Sequence, residues 1–221
     1  MKRVQGFETG QKVMRARQKE HGVRTGALWS WLRRFGDDRN GVAAVEFAVI
    51  LPVFLILLVG MIELTTVLSV DRKVGRIGSS VADLIARETE VNSAMMNDLF
   101  SASEQIMTPY NATGTVIESG VVEFEKKSGN TFTTEVLWSA GKVLGNSGTT
   151  EPWSKGSPLP KGINIPNTIK TDGACLVITQ VTHVYEPILG EVMDTLLGIG
   201  TITLEDLYFS EPRQTNCIQY R

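Results

Sequence analysis

The residue pattern predicts an α+β protein: one long N-terminal helix, its lower part in a membrane, followed by a small antiparallel sheet domain. Three observations carry this. From Val42 to Ile62 the only charged side chain is Glu46, and a helix needs about 20 mainly apolar residues to cross a bilayer. Apolar residues then recur every three or four positions from Val74 to Ile106, the stripe of amphipathic helices. Beyond Gly114 the chain turns to β-branched and aromatic runs punctuated by Gly, Pro, Ser and Asn, which reads as strands and turns.

Asp71, Arg72 and Lys73 end the apolar run, so the membrane helix is assigned to residues 42–70. At about 1.5 Å per residue it rises roughly 40 Å, and its last turns project beyond the hydrocarbon. A carboxylate inside such a run costs a few kcal/mol and usually has a partner or a function. Glu46 has two readings: it sits at headgroup depth, where its charge suits the helix dipole, or it acts in assembly. Pro52 removes one backbone hydrogen bond, and is read either as a tolerated kink or as a packing feature. Glu63 follows Glu46 by seventeen residues, roughly 25 Å along a helix, and is read as a solvated interfacial carboxylate in preference to a buried pair. Gly60 leaves a notch that would admit another helix closely.

Residues 1–41 form a basic leader, with ten Lys and Arg against four Asp and Glu, a net charge of 10 − 4 = +6. Fewer positive residues follow the apolar run, so the positive-inside rule keeps the N-terminus in the cytoplasm and exports the rest. Trp29, Trp31 and Phe35 beside Arg33 and Arg34 suit the headgroup layer. An ordinary secretory signal is excluded as the model for this leader, because its apolar core is shorter and its cleavage site lies at the far end. Residues 42–221 carry 12 Lys and Arg against 20 Asp and Glu, a net −8, which offers no footprint for nucleic acid.

The words Gly41-Val42-Ala43-Ala44-Val45-Glu46-Phe47, Leu51-Pro52 and Ile62-Glu63 resemble the type IV prepilin family, and within it the TadE-like proteins of tight-adherence (Flp) pilus systems. Ser79-Ser80-Val81-Ala82-Asp83-Leu84-Ile85-Ala86-Arg87 resembles their post-membrane region more weakly. The resemblance implies a processing site between Gly41 and Val42, cut by a prepilin peptidase. It also implies assembly roles for Glu46, Phe47, Pro52 and Glu63, with Glu46 meeting a neighbouring subunit's new amino terminus. Expected partners are inner-membrane lipid, other pilins or pseudopilins and the tight-adherence secretion machinery. No nucleic acid or small-molecule substrate is expected. The function implied is a membrane-anchored, pseudopilin-like component of pilus assembly in the bacterial inner membrane, with its C-terminal domain periplasmic. The alternative is an uncleaved signal-anchored scaffold of a secretion apparatus.

A periplasmic helical extension is assigned to residues 71–108. Val74, Ile77, Val81, Leu84 and Ile85 give its first stripe; Met95, Leu99, Ala102 and Ile106 give the second, opened by an N-cap at Asn92 or Ser93 and stopped at Pro109. A β domain is assigned to residues 109–221. Val116–Phe124 and Phe132–Trp138 read as a hairpin, with Phe132, Val136 and Trp138 on one face by parity. A long exposed loop is expected at about 139–173, pinned by Trp153 and the Pro158–Pro160 and Ile163–Pro166 segments, and this length without regular structure is unusual. Leu176–Tyr185 and Thr201–Phe209 are the strongest strand pair. The shift of apolar parity from Ile202 and Leu204 to Leu207 and Phe209 suggests a bulge.

Cys175 and Cys217 are the only cysteines and bracket this strand pair. Antiparallel pairing brings them close enough to bond, and an oxidising periplasm would preserve the bridge, at about 4 kcal/mol in the chain-entropy model. The competing reading is two ordinary thiols in a cytosolic chain. No GxSxG, HExxH, CxxC or GxxxxGK[ST] spacing occurs. His183 shares strand parity with Val181 and Tyr185, which reads as a packed or half-exposed strand histidine and not as a general base. No catalytic, cofactor-binding or metal-ligating residue is assigned, and no enzyme activity is expected.

Overall fold

The computed structural model describes residues 40–129, 131–187, 190, 194–195, 198 and 200–221; the leader, with Trp29, Trp31 and Phe35, and most of the 188–199 connector lie outside them. The chain is α+β, as its sequence predicts. Its elements are α1 (Asn40–Ala86), β1 (Glu90–Val91), α2 (Ser93–Met107), β2 (Val116–Ser128), β3 (Thr131–Val143), β4 (Cys175–Tyr185), β5 (Ile202–Ser210) and β6 (Gln219–Tyr220). Two compact units divide it, Met1–Leu58 and Val59–Arg221. The described part of the first is the N-terminal stretch of α1, exposed throughout from Gly41 to Leu58.

In the second unit, β2–β5 form an antiparallel sheet in the order β3-β2-β4-β5. Both faces of this sheet are apolar. One is covered by α1 and α2, whose Val74, Ile77, Val81, Ile85, Met96, Phe100 and Met107 join Ile117, Val121, Trp138, Val177 and Val181 in a single core. The other face holds Val122, Phe124, Val136, Leu176 and Ile178 beneath Trp153 and Ile165 of the loop after β3.

Burial on two faces explains where the expected patterns fail. Leu84 lies on α1's open side at 45% exposure, so the first stripe narrows to Val74, Ile77, Val81 and Ile85. On α2 the buried set is Met96, Phe100, Ser103 and Met107, one position on from the expected Met95, Leu99, Ala102 and Ile106. The N-cap is Asn92, whose side chain accepts from Met95 N at 2.9 Å, satisfying one of the helix's orphan donors. Lys73 Nζ donates to the Ile106 and Thr108 carbonyls at 2.8 Å each and so ties the end of α2 to α1.

The first hairpin is longer than predicted, and β3 continues through Ser139–Val143, so the strand-free stretch begins at Leu144. Phe132, Val136 and Trp138 do not share a face. Val121 pairs with Trp138 and Val122 with Val136, which leaves Leu137 as the extra residue of a bulge. The bulge sends Trp138 to the helical core and Val136 to the other, because one inserted residue reverses strand parity. The bulge expected in β5 is absent: its pairing with β4 is continuous from Val177↔Ser210 to Tyr185↔Ile202. Leu204 and Leu207 both find cores because they lie on opposite faces.

Close helix–sheet approach is set by Gly75 and Gly78. A Cβ on Gly75 would lie 2.7 Å from Tyr208 Oη, and one on Gly78 would lie 2.8 Å from Tyr208 Cε2. Gly60, the notch singled out in the sequence, has nothing within 4 Å. Residues 211–221 form a strap. Arg213 N donates to the Ala86 carbonyl at 2.7 Å, closing α1's last turn, and β6 pairs with β1 in parallel. Cys175 and Cys217 are joined in a disulfide, with Cα atoms 5.2 Å apart.

Candidate functional site

The sequence-predicted functional residues fall in two places. Gly41, Val42, Glu46, Phe47 and Pro52 lie on α1 in the first unit, where every residue from Val42 to Leu58 is exposed. A water-soluble helix hides one apolar face; here Phe47, Val49, Phe54, Ile56 and Leu57 are all more than 60% exposed around the helix. Among the described residues, α1 is the one helix long and apolar enough to cross a membrane, and none of its most apolar window is buried. Pro52 sits inside the helix without ending it, as membrane helices tolerate when other groups satisfy the freed carbonyl. Thr65, Thr66 and Ser69 donate back to the carbonyls four residues earlier, so these hydroxyls need no water as the helix leaves its apolar stretch.

Glu63 lies in the second unit. It is half-buried rather than fully solvated, and Tyr185 Oη donates to its Oε2 at 2.7 Å. This fastens the end of β4 to α1. Beside it, Thr66, Val70, Tyr110, His183, Tyr185 and Glu186 line a groove of about 550 Å³. His183 is 7% exposed, with Nδ1 2.8 Å from Thr115 Oγ1. Burial holds its pKa below the ordinary imidazole value, so it favours the neutral state and serves as a hydrogen-bonding core residue. Among the described residues no group of three or more His, Cys, Asp or Glu is placed to hold a metal ion.

Burial, followed by the Glu63 carboxylate, pushes the Tyr185 phenol up to about 12 from its ordinary 10.0. The unfolded chain therefore loses this proton first as pH rises. The stabilising contribution is complete below pH 10, declines between the two values and is gone above about 12. Tyr185→Phe is expected to cost about 1 kcal/mol at neutral pH and to flatten the alkaline decline by this tyrosine's share. Thermal unfolding of the full chain in detergent micelles at pH 8 and 11 checks this, wild type against variant. Equal alkaline losses in the two would refute the assignment.

Sequence reasoning did not find Tyr185 as the partner of Glu63. They are 122 residues apart, and the only signal is an aromatic residue at a strand end.

Among the described residues one long apolar helix, exposed from Gly41 to Leu58 and followed by a disulfide-braced α+β domain, fits a protein with a single-pass membrane anchor. Residues 41–76 match the family model described as TadE-like protein, and this segment holds Glu46, Pro52 and Glu63. No curated protein and no solved structure matches the chain.

Proposed function

We propose that this chain is a pseudopilin-like component of tight-adherence pilus assembly, anchored in the inner membrane with its sheet domain in the periplasm. The observation that carries the reading is the TadE-like match, which lies on a helix exposed throughout from Gly41 to Leu58 and carrying a carboxylate, Glu46, at the fifth place after Gly41. A prepilin peptidase removes the leader between Gly41 and Val42. The apolar helix then packs laterally against the helices of other pilins or pseudopilins. Glu46 sets axial register by pairing with a free amino terminus, and its value is specificity more than stability. Phe47 and Pro52 shape the packing surface, while Glu63 fastens the helix to the domain. The basic leader supports a cytoplasmic N-terminus. The role is structural, with no chemical step assigned.

The test is the N-terminus of the protein recovered from native membranes. Wild type is expected to begin at Val42. Gly41→Ala, and a strain lacking the peptidase, are expected to retain the leader. Glu46→Ala is expected to be cleaved and membrane-inserted but to fail in assembly. An intact leader in wild type would overturn the pseudopilin mechanism in favour of the permanently anchored scaffold.

A further inference from the structure

We propose that the free edge of β5 is a docking strand, which another protein completes by adding a basic, extended segment as a fifth strand of the sheet. The strand order leaves β3 and β5 as edges, and the chain treats them differently. Its own loop covers the β3 edge: Gly141 and Thr150 exchange backbone hydrogen bonds at 2.8 and 2.7 Å, Val136 N donates to the Ser157 carbonyl at 3.0 Å, and Gly156 N to the Val136 carbonyl at 2.8 Å. Nothing comparable among the described residues covers β5. Among the described residues, no backbone hydrogen bond other than those to β4 involves residues 202–210. The alternate N–H and C=O groups of these nine residues that point away from β4 therefore have no backbone partner among the described residues, which is a template for a further strand.

Protective devices usually found on such an edge are charged side chains, lysine above all, prolines, bulges or covering loops. Ile202–Ser210 contains neither lysine nor proline, and its register is unbroken. What it carries is negative charge. Glu205 lies exposed on the face shared with Leu207 and Phe209, bonded to Gln180 Nε2. Asp206 lies on the α1 face, where burial and then the Asp71 carboxylate hold its pKa above the ordinary carboxylate value. Glu211 follows directly, and none of these four carboxylates is in an ion pair among the described residues.

This charge decides the occupant. A second copy of the chain paired in register would bring its own Glu205 and Asp206 up to these carboxylates, and residues 42–221 carry a net −8 (12 − 20); like charges directly opposite on paired strands are destabilising. A strand with Lys or Arg at alternate positions instead finds the carboxylate of Glu205 or of Asp206 beside it, according to which face those positions take, and backbone groups to bond, as in strand addition to other sheet edges. The inference does not depend on leader cleavage or on the place of the chain in a fibre.

The probe is a labelled short peptide of alternating lysine and threonine, read by fluorescence anisotropy against the full chain in detergent micelles, with empty micelles as background. It is expected to bind at least about tenfold more tightly than the same peptide with glutamate for lysine. Methylating its backbone nitrogens should abolish binding, since charge alone survives methylation and strand pairing does not. Glu205→Lys, at an exposed position, should weaken binding by about tenfold. Absence of binding, equal binding of the two peptides, or indifference to methylation would each overturn the proposal. Self-association of the full chain that Glu205→Lys alters would overturn it in favour of a second copy.

Discussion

Cys217→Ser is expected to lower the stability of the sheet domain by about 2–5 kcal/mol, as for loss of a native disulfide from a small exported domain. The bridge spans 42 residues and joins the start of β4 to the strap. Its loss frees a segment with specific work in the fold. Trp138 Nε1 donates to the Ile218 carbonyl at 2.8 Å, Asn216 Nδ2 to the Gly173 carbonyl at 2.7 Å, and Gln214 Nε2 to the Arg87 carbonyl at 2.6 Å. Ile218 is fully buried in the helical core. Urea unfolding of the full chain in micelles checks the prediction, with Cys175→Ser and the double variant alongside. All three should shift the midpoint by a similar amount, since each removes the same bond. An unchanged midpoint would mean that non-covalent contacts alone hold the strap.

Trp153→Ala is expected to cost about 3–5 kcal/mol, the range for truncating a buried aromatic residue. Trp153 is 3% exposed and lies against Gly120, where a Cβ would meet its ring at 2.9 Å; no other residue type at that position leaves room for the indole. Its backbone is held as well. Ser139 Oγ donates to the Trp153 carbonyl at 2.8 Å, and Trp153 N donates to Ser139 Oγ at 2.9 Å. Removing the indole opens the core of Val122, Phe124, Val136 and Ile178 to water. Limited proteolysis should then cut between Leu144 and Ala174 at conditions where the wild-type loop resists. A loop that stays resistant in the variant would show that Ile165 and the backbone bonds suffice to pin it.

The apolar helix, the strand pair β4–β5 and the cysteine pairing were legible because each rests on a local pattern with a single physical reading once topology is assumed. An apolar run with one charge in about twenty residues has few homes other than a bilayer, and strands that read as antiparallel place their flanking cysteines together. The register of the first hairpin was not legible, because one extra residue at Leu137 leaves no mark in composition yet reverses every side chain beyond it. Parity in β5 misled for a related reason: apolar residues on both faces were read as a bulge, when a sheet covered by helices on one side and a loop on the other needs them on both. The Glu63–Tyr185 bond and the Gly75–Gly78 seat for Tyr208 arise only when distant segments meet. A close approach is expected from the sequence at Gly60, whereas Tyr208 is met at Gly75 and Gly78, which the local pattern did not single out.

The parallel pairing of β1 with β6 carries a consequence for timing. Glu90 and Val91 wait for Gln219 and Tyr220, so α1's end and the first small strand cannot be secured until more than a hundred further residues have been made. Loop closure over such a separation slows folding. The order of synthesis thus leaves the helical core without its final cover while β2–β5 assemble, and the last segment to arrive seals a sheet already formed. A nascent chain arrested just after β5 would hold the complete four-stranded sheet and still lack the fastening at the end of α1.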